Sequence, residues 1–216
     1  MIKLLKYVLF VWLAAVICFA ILAPIPVVGT MGERARILFF HVPTAWVSTV
    51  AFVTALVYGV QYIRKRDIIY DFKASSAAAL GLVFAVLATV TGAIWAKFEW
   101  GAFWNWDPRQ TSIFVLILVY GAYFALRSAI ESEEQRAKLS SVYAILAGIT
   151  VPFFIFVFPR MVETLHPDPI VNTSGKIKMT GSMLMIFLSS LAGFTALFAW
   201  MLNLRVRIAK LNLKEK

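Results

Sequence analysis

Residues 74–96 read ASSAAALGLVFAVLATVTGAIWA, twenty-three consecutive positions without a charged side chain. As an α-helix this run would be about 35 Å long, enough to cross the roughly 30 Å hydrocarbon core of a bilayer. Further apolar runs of this kind occupy 4–23, 42–63, 111–129, 141–158 and 180–204. The whole chain is 61% hydrophobic and 15% charged, with a mean hydropathy of +0.81, whereas a soluble domain carries roughly 25% charged residues. The sequence therefore predicts an all-α integral membrane protein. Its six transmembrane helices form a single transmembrane domain over 1–216, and the remaining tails and loops are too short for a separate soluble domain.

The formal charge of +10 could suggest nucleic acid, but Lys and Arg fall at the ends of the apolar runs, where the positive-inside bias acts. One set of segments holds fourteen of them and includes Lys3, Lys6, Arg64, Arg127, Arg205 and Lys216; the alternate set holds seven, among them Arg34, Arg36, Lys97, Arg109, Arg160 and Lys176. This split places both termini and the loops 64–73 and 130–140 in the cytoplasm, and the segments 24–41, 97–110 and 159–179 outside. Lys3 and Lys6 before an apolar run also describe a signal peptide. The run is long for that, however, and meets Pro24 and Pro26 without a small-x-small site, so a retained helix is expected. Cys18 is the only cysteine, which excludes an intrachain disulfide and a Cys-based metal site. The mixed charges of 127–140 read as a solvated helix end, and Pro152 predicts a kink in the fifth span.

Chemistry concentrates in the outward segments. The Trp-rich loop 97–110, with Trp95 before it, places four of the seven Trp within twelve residues: Trp95, Trp100, Trp104 and Trp106. One Trp at the headgroup level is ordinary. Four on one loop with Gly101 between them suggest an apolar platform for a large, flat, conjugated ligand. Asp107-Pro108 suits a helix start, which leaves Arg109 as an outer-edge cation able to pair with carboxylates. The two histidines, His41 and His166, both lie in outward segments. Imidazole is a common axial ligand of heme iron, and two would complete a six-coordinate site.

The stretch from Trp100 to Thr111, WGAFWNWDPRQT, resembles the tryptophan-rich WWD signature of the heme-handling proteins of cytochrome c biogenesis. With Arg36, the segment His41-Val42-Pro43 and Thr164-Leu165-His166, the chain is similar to the heme exporter protein C family, CcmC, over nearly its whole length. Phe103-Trp104 departs mildly from the paired Trp that the family often shows. The resemblance implies heme b as cargo, His41 and His166 as axial ligands at the outer face, and contacts to the ring from Trp100, Trp104, Trp106 and Asp107. At least one of Arg36 and Arg109, and Arg109 before Arg36, is expected to meet a propionate. It further implies presentation to the chaperone CcmE alongside CcmA, CcmB and CcmD, in the bacterial cytoplasmic (inner) membrane with its lipid as surroundings and no nucleic acid. His166, flanked by Pro167 and Pro169, is expected to be the looser ligand. Transfer or export is expected rather than turnover catalysis. The alternative is a permease subunit moving heme or another small solute, although spans two to six carry few of the ionisable residues such a path uses.

Overall fold

Side-chain caps and a left-handed glycine set where several of the helices begin and end. Asp67 accepts from the Ile69 amide at 2.9 Å and starts one helix, Asp107 does the same through Arg109, and Ser132 caps another through Gln135. The structure, a computed structural model, describes residues 2–25, 31–167, 175 and 177–214. Pro26, Pro169, Lys176 and Lys216, which figure in the sequence reading, lie outside them. The elements are α1 (Ile2–Leu22), a 3-10 helix (Gly32–Phe39), α2 (His41–Lys65), α3 (Ile68–Trp100), α4 (Pro108–Ala129) and α5 (Glu133–Pro152). A π-helical turn (Phe153–Val157), a short α6 (Phe158–Met161) and α7 (Gly181–Lys214) follow. Six helical segments are long and apolar enough to cross a membrane, and no strand occurs among the described residues.

Several helix ends differ from expectation: α3 begins at Ile68 and α5 at Glu133, inside the stretches read as the loops 64–73 and 130–140, where Asp67 and Ser132 supply caps; three further differences also have a local reason. The loop set at 97–110 is shorter, because α3 runs on through Trp100 before Gly101 ends it in the left-handed region at φ 82°. Lys97 Nζ donates to the Gly101 carbonyl at 2.9 Å across that end. The segment 24–41 is partly helical. Its 3-10 helix is tied down by Arg36, which donates to the carbonyls of Ala20 and Ala23, and by Ser190, whose hydroxyl donates to the Phe39 carbonyl. The kink expected at Pro152 takes the form of the π turn that follows it, as the missing N–H of proline leads one to expect.

Small residues bring the helices close. The α3 face formed by Ala74, Ala77, Ala78, Gly81, Ala85 and Ala88 is buried, and a Cβ on Gly81 would stand 2.6 Å from the Phe52 ring of α2. Phe52 in turn stacks on Tyr120 of α4, with centroids 3.6 Å apart. With almost no polar atoms in the contact, such close packing is what holds membrane helices together. Arg127 grips the buried Asp71 through two hydrogen bonds of 2.5 and 2.9 Å at one end of the bundle. The opposite end gathers the 3-10 helix, the start of α2, the end of α3, the start of α4 and the π turn around a cavity.

Candidate functional site

That cavity measures about 420 Å³, within the range of roughly 300–1,000 Å³ common for small-molecule sites. Phe154 and Ile155 of the π turn, Phe187 and Leu191 of α7, and Trp95 and Trp104 supply apolar and aromatic wall. Its polar groups are few: His41, Arg109, Arg160 and His166 are the ionisable ones.

His41 is the first residue of α2, and its Nδ1 lies 3.1 Å from Thr91 Oγ1 of α3. The Thr91 hydroxyl donates its one proton to the Leu87 carbonyl at 2.8 Å. It therefore accepts from His41, which puts the imidazole proton on Nδ1 and leaves a lone pair on Nε2. Gly92 makes the room, since a Cβ there would stand 2.7 Å from His41 Cε1.

His166 reaches the same tautomer by a different route. Its Nδ1 lies 2.8 Å from Asp107 Oδ1, and a carboxylate can only accept, so Nδ1 again carries the proton. Asp107 is 4% exposed and collects three further donors: the Arg109 amide at 2.9 Å, the Thr164 hydroxyl at 2.8 Å and the Leu165 amide at 2.7 Å. Burial alone would raise the pKa of this carboxyl. The hydrogen bonds from His166, the Arg109 amide and Thr164 outweigh burial and hold it well below the usual carboxylate range. Asp107 is thus both the N-cap of α4 and the anchor of three successive residues at 164–166. That grip ties down the segment that the sequence reading expected to be loose.

The remaining site residues separate. Trp100 stands edge-on to the His166 ring, with centroids 4.8 Å apart, and Trp95 is tilted against it at 6.0 Å. Trp104 lines the cavity, whereas Trp106 is 69% exposed and meets Trp104 edge-on at 5.8 Å. Trp106 also adopts φ 56°, a strained conformation for a non-glycine residue. Gln110 braces it by accepting from the Asn105 amide at 2.9 Å and donating to the Phe103 carbonyl at 3.3 Å. Arg109 lines the cavity; Arg36 does not, because its guanidinium bonds Ala20, Ala23 and Glu33.

Two imidazoles with their Nε2 atoms free, one cavity with flat aromatic walls and two guanidiniums form a donor set that suits a planar, metal-bearing dicarboxylate. The family model described as heme exporter protein C, CcmC, matches residues 1–216. The chain belongs to the CcmC family. It is 30% identical over 182 residues to heme exporter protein C of Rhodobacter capsulatus, covering 84% of this chain and 75% of the relative. Against heme exporter protein C of Bradyrhizobium diazoefficiens the identity is 32% over 167 residues, 77% of this chain and 63% of the relative. A putative cytochrome c biosynthesis ccmC-like mitochondrial protein of Arabidopsis thaliana is 28% identical over 204 residues, 94% of this chain and 77% of its own length. Membership in CcmC makes this a multi-pass membrane protein of cytochrome c biogenesis.

Within this CcmC-family chain, sequence reasoning missed Thr91, Gly92, Gln110 and Arg160. Thr91-Gly92 looks like ordinary membrane-helix content, and Gln110 like a helix-start residue. Only Arg160, a cation six residues before His166, carried a signal that could have been used.

Proposed function

We propose that this chain binds heme in the cavity between His41 and His166 and passes it on during cytochrome c biogenesis. The observation that carries the reading is that both histidines line one cavity, each with Nδ1 engaged by a protein acceptor and Nε2 free. Such outer partners fix the tautomer and ring orientation of a metal-ligating histidine and raise its basicity. Heme supplies the iron that the two Nε2 atoms would ligate. The protein's own part is to aim the imidazoles through Thr91 and Asp107, with Trp100 edge-on against the His166 ring, and to wall the ring with Trp95 and Trp104. Arg109 is the main partner for the propionates. Arg160 takes the second place that the sequence assigned to Arg36, since Arg160 lines the cavity and Arg36 is held elsewhere.

The orientation follows from the charge split: termini in the cytoplasm and the heme site at the outer face of a bacterial cytoplasmic membrane. The exposed rim of Trp106 and Phe103 is then available to a receiving chaperone, CcmE by family analogy, with CcmA, CcmB and CcmD as companions. Heme b is the form expected, because the residues that line the cavity include no cysteine that could bond the ring covalently. An absorption spectrum of the purified protein tests the reading. A bis-imidazole spectrum is expected, and His41→Ala or His166→Ala should convert it to a five-coordinate one that added imidazole partly restores. A double variant that keeps the bis-imidazole spectrum would remove both histidines from the site.

A further inference from the structure

At the end of the bundle opposite the histidine cavity, α3, α5 and α7 enclose a groove of about 530 Å³. Arg136 and Arg205 face it together with Glu133, and Phe72, Ile208 and Leu213 form its apolar part. Arg205 has no hydrogen bond or ion pair with a described residue. Arg136 pairs with Glu133 at 3.9 Å within one helical turn, a partly exposed contact of little net strength. We infer that this groove holds the headgroup of an acidic phospholipid.

Two observations converge on that occupant. Two guanidiniums against one carboxylate leave the groove positive, and the planar fork of arginine matches a phosphate with two donors. The second is depth. Arg205 lies about 36 Å along α7 from Gly181 at 1.5 Å per residue, just beyond a hydrocarbon core of roughly 30 Å. That is headgroup level, where basic pockets between membrane helices recognise anionic lipids. The inference does not depend on heme, since groove and cavity lie at opposite ends.

Native mass spectrometry of the full-length protein released from detergent tests it, with phosphatidylglycerol, phosphatidylcholine and glycerol 3-phosphate each supplied in turn. Phosphatidylglycerol should be retained about tenfold better than phosphatidylcholine. Arg205→Gln and Arg136→Gln should each lower its retention about fivefold, while Arg207→Gln, a cation on α7 outside the groove, should change it less than twofold. Equal retention of the two lipids by the unaltered protein overturns the inference, and this arm does not depend on any variant folding. A loss with Arg207→Gln as large as with Arg205→Gln overturns it in favour of diffuse surface charge. Glycerol 3-phosphate competing as well as the intact lipid overturns it in favour of a soluble phosphate ester.

Discussion

Replacing Gly92 with alanine adds one methyl group behind the His41 ring. Its Cβ would lie 2.7 Å from Cε1, 3.4 Å from Nδ1 and 3.5 Å from Nε2. Carbon atoms in contact settle at about 3.5–4.0 Å, so the ring must move by about 0.8 Å or more. Metal–ligand distances tolerate about 0.2 Å, and a displacement several times larger takes Nε2 out of position. Fold stability changes much less. An interior glycine costs α3 about 0.8–1.0 kcal/mol relative to alanine, and crowding a packed site costs about 1–3 kcal/mol. The net loss is about 0–2 kcal/mol, so the variant should insert and fold. Heme titration followed by absorption should then show a five-coordinate spectrum and an affinity about 10–100-fold lower, as when an outer-sphere support is lost. Gly121→Ala in α4 is the control, because a Cβ there meets nothing within 4 Å and the heme spectrum should not change. An unaltered bis-imidazole spectrum and affinity for Gly92→Ala would refute the placement of His41 as a ligand.

The other predictions address the second histidine, the propionates and the orientation. Asp107→Asn keeps the size but turns an NH2 toward one of its donors, so heme affinity should fall about 10–100-fold, measured by the same titration. Because native Asp107 ionises well below the usual carboxylate range, its stabilisation is complete above about pH 4 and fades as the pH falls further. Melting curves of the unaltered protein should show that acid limb, and Asp107→Asn should lack it. Arg109→Gln and Arg160→Gln should weaken heme about tenfold or more without changing the binding of heme dimethyl ester; Arg36→Gln should lower the melting temperature and leave the heme-to-ester ratio alone. A reporter fused after Lys65 or at the C-terminus should read as cytoplasmic and one after Gln110 as external, and reversed signals would refute the orientation.

Much of the fold was legible because a bilayer imposes a simple demand. Every backbone polar group must be satisfied within the segment, so a run such as 74–96 can only be a helix, and its count and order follow from the sequence. Where helices end was less legible. Lys97–Trp100 read as loop because Lys97 and Glu99 are charged, yet α3 continues through them until Gly101 permits the left-handed turn. There Glu99 pairs with Arg34 of the 3-10 helix at 3.1 Å, a partner 65 positions away that no local pattern announces.

Residue types at the site were similarly open to reading, while their roles were not. His41, His166, the Trp-rich loop and Arg109 stood out as the wrong chemistry for a lipid-facing surface; His41, His166, Trp104 and Arg109 line the cavity, Asp107 orients His166, and Trp100 and Trp106 stand outside the lining. The sequence by itself determined six helices and a cluster of aromatic and imidazole groups on one end, because hydropathy and charge act along the chain. Tertiary structure alone decided that Thr91 and Asp107 select the tautomers, that Gly92 makes room for a ring fifty-one residues earlier, and that Arg160 rather than Arg36 faces the cavity. Those outcomes depend on which helix faces which, and hydrogen-bond partners, steric gaps and competing carbonyls from distant segments exist only once the helices have packed.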